Sequence, residues 1–247
     1  MKHLFWCVLI GLMLLALLAG CGQETAKIRV ATDATWPPFE SVNEQTKAIE
    51  GFDIDLFSAI AEKEGLDVEF INVAWDPLLA GIAQCQYDAA ISSITITFER
   101  AAAMLFSDPY FAAGQIVTVR IDNTDIADKD DLGGKVVGAQ LGTTGAMEVE
   151  KIAGATLKSY DEIGLAFQDL MNGQIDAVVA DNPLALEYVV KNSDKLKAAG
   201  EAFTSEFYGI AVCKDNPDLL AKINSGLAAV KAEGLIEELI EKWLGSQ

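Results

Sequence analysis

Histidine is almost missing from this 247-residue sequence; the only one is His3. Without it the chain has no Ser-His-Asp or Cys-His nucleophile and no histidine-liganded metal site. Cysteine is scarce too, with four residues, Cys7, Cys21, Cys85 and Cys213. Basic side chains number 18 against 37 acidic ones, for a formal charge of −19. Such a surface disfavours nucleic acid as a partner and mildly favours cations. The one long uncharged run, Leu4 to Gly20, is short for a membrane-spanning helix, which needs about 20 apolar residues. No G-x-G-x-x-G phosphate fingerprint occurs. These absences point away from catalysis; no cofactor, metal or catalytic residue is expected.

Lys2 and His3 precede the uncharged run, and Leu18-Ala19-Gly20-Cys21 ends it. The pattern fits a bacterial lipoprotein signal over residues 1–21, with Cys21 lipidated as the new N-terminus. An uncleaved N-terminal anchor is the alternative. Either way the folded part is expected outside the cytoplasm, tethered to a membrane by a polar stretch over 22–26. Loss of the signal removes one lysine and no acid, taking the charge from −19 to −20. The remaining length suffices for two lobes of about 100 residues each.

The chain is organised around residues 88–110, DAAISSITITFERAAAMLFSDPY. The apolar run Ala89 to Ile91 reads as a buried strand ending in hydroxyls at Ser92, Ser93, Thr95 and Thr97. Thr97 suits a helix N-cap, Glu99 the first turn and Arg100 the next position. Hydroxyls and backbone N–H groups at a strand end, beside a guanidinium, suit a small zwitterion, because Arg grips a carboxylate with two parallel hydrogen bonds. The same residues would also make an ordinary strand, a capped helix and a surface Arg.

Upstream, KIRVAT (27–32) reads as a strand running into Asp33 and Trp36-Pro37-Pro38-Phe39-Glu40. Asp33 is a turn acid or a site acid, and Trp36 a core aromatic or a site aromatic. A hairpin or loop is expected over 41–51, a helix over about 53–64 opened by Phe52 and ended by Gly65, a strand over 68–73 and a helix from Pro77 to about Gln84. Downstream, 115–119 and 135–140 read as strands, and Gly142-Thr143-Thr144-Gly145 leads into a helix N-terminus, a natural anion site. A helix near 161–172, a strand over 174–180 ending at Asp181 and a helix to about Lys191 follow. Tyr208 to Val212 reads as one strand crossing back, before amphipathic helices over 217–233 and 235–244 that are expected to pack on the first lobe.

Two halves echo each other. QYDAAISS (86–93) and QIDAVVAD (174–181) align without gaps, placing Ser93 opposite Asp181, and KIRVATD pairs with KVVGAQL. Open α/β sheets bind ligands outside the carboxyl ends of their strands. Two such sheets face to face would pool Asp33, Ser93 and Arg100 with Thr144 and Asp181.

VATDATWPPFE, GFDIDLFSAIA, YDAAISSITITFER through FSDPY, VVGAQLGTTGA and IDAVVADNPLA together resemble the extracytoplasmic solute-binding proteins of polar amino acid ABC importers, in that family's order over nearly all of 27–247. The resemblance implies a two-lobed periplasmic-binding-protein-like (type II) fold, two α/β sandwiches joined by a two-strand hinge. Lobe 1 would comprise 27–112 plus 208–247 and lobe 2 would comprise 113–207. It implies that Arg100, with Thr95 and Thr144, clamps the ligand α-carboxylate. Asp181, with Ser93 and Thr95, would take the α-ammonium. Trp36 and Phe52 would flank the side chain, and Asp33 and Ser92 would meet its polar end. The partners implied are an amino acid, ABC permease subunits and, through the lipid, a membrane; the protein is expected to be a monomer.

Cys85 and Cys213, the thiols left after processing, are expected to form a disulfide, with two buried free thiols as the alternative. If their flanking strands are antiparallel neighbours, both lie at the end of the first lobe away from the ligand. A basic amino acid, arginine or lysine, is the expected ligand, with glutamine the alternative; a dehydratase-type enzyme or a sensor domain on the same fold are the other classes.

Overall fold

The computed structural model describes residues 27–245. The signal, Cys21 and the tether at 22–26 lie outside the described residues.

Two five-stranded sheets carry the fold, and they have the same plan. The first runs Val68–Asn72, Ile28–Thr32, Ala89–Ala90, Ala211–Val212, Leu105–Phe106; the second runs Thr156–Tyr160, Val136–Gln140, Ala177–Asp181, Gln115–Arg120, Leu196–Ala199. In each, the first three strands are parallel and the fourth is antiparallel to both of its neighbours. Parallel strands are covered on both faces and so read as near-continuous apolar runs; Ala177–Asp181 is buried at every position. This is the two-lobed α/β architecture implied by the resemblance.

The internal echo has a structural cause. Asp88 accepts the Arg29 N–H at 2.8 Å, and Asp176 accepts the Val136 N–H at 2.8 Å. The shared Asp thus docks each third strand onto its parallel neighbour. The pairings Val30↔Ala89 and Val137↔Ala177 make Val30 and Val137 equivalent. That is one residue off the pairing of KIRVATD with KVVGAQL, and it sets Asp33 opposite Gln140 in the repeat.

The chain crosses between the lobes at Phe111–Ala113 and Glu206–Tyr208, which pair antiparallel. The single strand expected over 208–212 is therefore two, Glu206–Tyr208 in the crossover ladder and Ala211–Val212 in the first sheet. Gly209 sits at the break, where an added Cβ would come within 2.8 Å of Ile96. The helix Phe52–Glu64 ends on Gly65 in the left-handed region, as a Gly C-cap predicts. Pro217–Ala232 begins with Asn216 accepting from the Leu219 N–H. It lies against the helix Phe52–Glu64, close enough that a Cβ at Gly226 would meet Ile60 at 2.9 Å. The C-terminal helices thus pack on the first lobe, as their amphipathic pattern predicts. The strands Thr156–Tyr160 and Leu196–Ala199, the edges of the second sheet, Leu105–Phe106, an edge of the first, and Phe111–Ala113 carry no expectation from the sequence.

Cys85 and Cys213 are bonded, with Cα atoms 4.9 Å apart. Val212 pairs antiparallel with Ala89, so the bond ties together the ends of adjacent strands in the first lobe. Among the described residues no helix is long and apolar enough to cross a membrane.

Candidate functional site

A cavity lies between the facing sheets. Of the expected site residues, it is lined by Asp33, Trp36, Ser92, Ser93, Thr95, Arg100, Thr144 and Asp181. All but Trp36, which sits in the short paired strand Thr35–Trp36, project from or just beyond the strand ends, where the main sheets' own hydrogen bonding stops.

Arg100 follows from the helix Phe98–Ala103, whose Thr97 cap accepts the Arg100 N–H at 3.2 Å. Its guanidinium donates to Thr95 O at 2.8 Å and, across the cleft, to Gly142 O at 3.1 Å. It also lies 5.2 Å from the centre of the Trp75 ring. Two of its five N–H groups are thus engaged and the rest can grip an anion. Burial lowers its pKa, while Asp181, Glu206 and Glu99 oppose that shift.

Asp181 is the buried acid of the second lobe. Its carboxylate accepts from Tyr208 Oη at 2.7 Å and from Gln115 Nε2 at 2.9 Å. Burial, then the charge of Glu206, pushes it up to about 6, against the Tyr208 and Gln115 hydrogen bonds and Arg100. Thr95 and Thr144 donate to the same oxygen of Glu206, at 3.0 and 2.7 Å. Glu206 thus fixes two residues expected at the ligand carboxylate. The N-terminus of the helix Thr144–Lys151, capped by Thr143, completes this wall and favours an anion.

The opposite end is built from acceptors. Asp33, 4% exposed, accepts from Thr35 Oγ1 at 2.9 Å and from Gln140 Nε2 at 3.3 Å. Its pKa is raised, chiefly by burial. The hydroxyl of Ser92 donates to Glu40 at 3.1 Å and accepts the Asp33 N–H at 2.9 Å, leaving one lone pair. Gln140 spends its amide hydrogens on Asp33 and on Asp161 O, while its Oε1 is buried without a partner. The rings of Trp36 and Trp75 share the wall.

Phe52 is the expected site residue that the structure places elsewhere. It is fully buried in the core, its ring edge-on to Phe39 and Phe111 at 5.6 and 5.7 Å. The chain at Gly51 passes so close to Phe39 that an added Cβ would sit 2.1 Å from its carbonyl oxygen, and the side chain at the helix start turns inward. Trp75 is the second aromatic on the cavity wall. Pattern reading starts this helix at Pro77 and passes over Trp75, whereas the helix is Trp75–Ala83. The signal available was positional, since Trp75 follows its strand's carboxyl end as Trp36 follows its own. Glu40, Gln140 and Thr143 also line the cavity; Glu206 and Gln115 act from just behind it.

A solute is thus met by an arginine and a helix N-terminus at one end, a buried acid beside them, and acceptors at the other. Residues 28–246 match the family model of the bacterial extracellular solute-binding proteins, family 3. The chain belongs to that family. It is a family of solute-binding proteins, not of enzymes. The L-cystine-binding protein TcyJ of Escherichia coli (strain K12) is 32% identical, covering 100% of this chain and 98% of its own. The ABC transporter arginine-binding protein 1 of the same organism is 36% identical over 94% of this chain and 98% of its own. Structures of an ancestral arginine-binding protein, one bound to arginine and one to glutamine, are each 44% identical with a TM-score of 0.84, covering 89% of this chain and 98% of theirs.

Proposed function

We propose that this protein captures a basic L-amino acid, arginine or lysine, between its two lobes and delivers it to the permease of an ABC importer. One observation carries the choice of ligand: the end of the cavity around Asp33 offers acceptors, the Asp33 carboxylate, the Ser92 lone pair and Gln140 Oε1. A guanidinium or ammonium supplies only donors and a positive charge, and an acidic side chain would be repelled. Trp36 and Trp75 flank its alkyl stem, and a cation over an aromatic face gains about 0.5–2 kcal/mol. Arg100 and the helix start at Thr144 hold the α-carboxylate, and Asp181, with Ser93, the α-ammonium. Thr95 contributes through its carbonyl and its tie to Glu206.

Glutamine is the second reading, because its amide also donates to Asp33, and an arginine-binding relative is solved with glutamine bound. The lobes in this reading are 27–112 plus 208–247 and 113–207, closing on the ligand as a signal to the permease. The protein acts as a monomer, anchored outside the cytoplasm by lipid on Cys21. A thermal-shift screen of the twenty amino acids tests the class, since a ligand that binds only the folded state raises Tm. Arginine or lysine should give the largest shift; no shift with any amino acid would overturn the proposal.

A further inference from the structure

Behind Ser92 and Ser93 lie two carboxyl groups that the binding roles above do not use. Glu40 and Asp53 are both fully buried, and neither is in a salt bridge among the described residues. Glu40 Oε1 accepts from Ser92 Oγ at 3.1 Å. Asp53 Oδ2 accepts from the Ser93 N–H at 2.7 Å and from Tyr110 Oη at 2.8 Å. The remaining oxygens, Glu40 Oε2 and Asp53 Oδ1, are buried without any other donor. The Asp53 N–H bonds Phe39 O at 3.0 Å, which brings the two segments together, and the two carboxyls lie within hydrogen-bonding reach of each other. Buried polar atoms need a partner, and a single proton between these two oxygens satisfies both.

We propose that Glu40 and Asp53 are positioning residues that share one proton and thereby set how Ser92 and Ser93 meet the ligand. With the proton in place, the carbonyl side of Glu40 fixes the Ser92 hydroxyl hydrogen, and Ser92 turns its free lone pair outward as an acceptor. The ionised Asp53 holds the Ser93 N–H. Ser93 has φ +48°, a left-handed conformation that non-glycine residues rarely adopt without support. Its hydroxyl is buried, unpartnered and on the cavity wall. The ionisable groups facing the pair are Asp33, whose charge further disfavours a second negative charge on the pair, and the phenols Tyr110 and Tyr208, which burial keeps neutral. The proposal deepens the binding-site reading and rests on it for the identity of the ligand only.

Carbon-13 labelling of the side-chain carboxyls of glutamate and aspartate reads the proton directly, with no ligand present. At pH 7 the wild-type protein should show a protonated carboxyl resonance that vanishes in Glu40→Gln. If Glu40→Gln removes no protonated resonance, the proposal is overturned. Calorimetry with arginine and with glutamine tests the positioning. The amide of Glu40→Gln replaces the protonated carboxyl atom for atom, so affinity should stay within about threefold; Glu40→Ala strips Ser92 and Asp53 of a buried partner and should lose about tenfold or more. Equal losses in the two variants, or none in Glu40→Ala, would also overturn it. Should Glu40→Ala fail to fold, the labelled Glu40→Gln protein still decides. Should wild type bind neither amino acid, the ligand assignment fails while the resonance still tests the pair.

Discussion

Gln140 donates to Asp33 across the cleft, Nε2 to Oδ2, at 3.3 Å. The two residues hold equivalent places in the repeat, each directly after the same strand position in its own lobe. The site is thus assembled from one structural position used twice, once as an acid and once as an amide. Together with the Arg100 bond to Gly142 O, the Gln140–Asp33 bond ties the two lobes to each other at the cavity.

Arg100→Ala should abolish measurable amino-acid binding. The ligand carboxylate would be desolvated without its partner, a loss of about 2–5 kcal/mol. Isothermal calorimetry reads the loss, and thermal unfolding should still show a cooperative transition. Wild-type affinity in this variant would remove Arg100 from the site.

The titration of Asp181 predicts an acid limit to binding. An ammonium docks on the ionised carboxylate, and in the unliganded protein that group titrates at about 6. Affinity should therefore fall as pH drops through about 6. Unliganded stability should respond with the opposite sign. A folded pKa above the ordinary 3.8 means that Asp181's contribution is fully present below 3.8 and lost as pH rises through about 6. Asp181→Asn should flatten the binding dependence around pH 6 and reduce that of stability, to which Asp53, also raised to about 6 by burial, contributes too; calorimetry and chemical unfolding across pH 4–7 read the two.

Gly142 should be a closure residue. It has φ +72°, and an added Cβ would sit 2.7 Å from Asp76 Oδ1 on the opposite lobe. Gly142→Ala is expected to weaken binding by about tenfold or more, because a side chain at φ +72° strains the turn whose carbonyl Arg100 grips across the cleft. Small-angle scattering with saturating arginine should show a less compact liganded state than wild type; an unchanged liganded radius of gyration would contradict this.

Much of the architecture was legible because each strand end declares itself twice, by an apolar run and by the polar residues that stop it. Asp33, Ser92, Ser93 and Asp181 were found that way. What stayed hidden depended on which face of a helix start turns inward. Phe52 and Trp75 both open helices, and periodicity fixes the phase of a helix poorly at its first residue. Asp53 stands in the first turn of its helix, where acids are common, and only its burial beside Glu40 marks it out. Glu206 was hidden because its importance comes from the crossover ladder, a contact between segments about a hundred residues apart.

The disulfide should matter for stability and not for the ligand. Cys85 and Cys213 close a separation of 128 residues, and neither lines the cavity. Replacing both with Ala should cost about 2–5 kcal/mol in urea unfolding, with arginine affinity unchanged. A large loss of affinity would mean that the bond reaches the site through the first sheet.

Competition calorimetry of arginine, lysine and glutamine against wild type and Asp33→Asn tests the central claim most directly. Arginine or lysine should bind tighter than glutamine, and Asp33→Asn should weaken the basic ligand by about tenfold or more while changing glutamine less, because only the cation loses an ionic partner. Glutamine binding tighter than both arginine and lysine, or an Asp33→Asn protein that holds arginine as well as wild type, would contradict it.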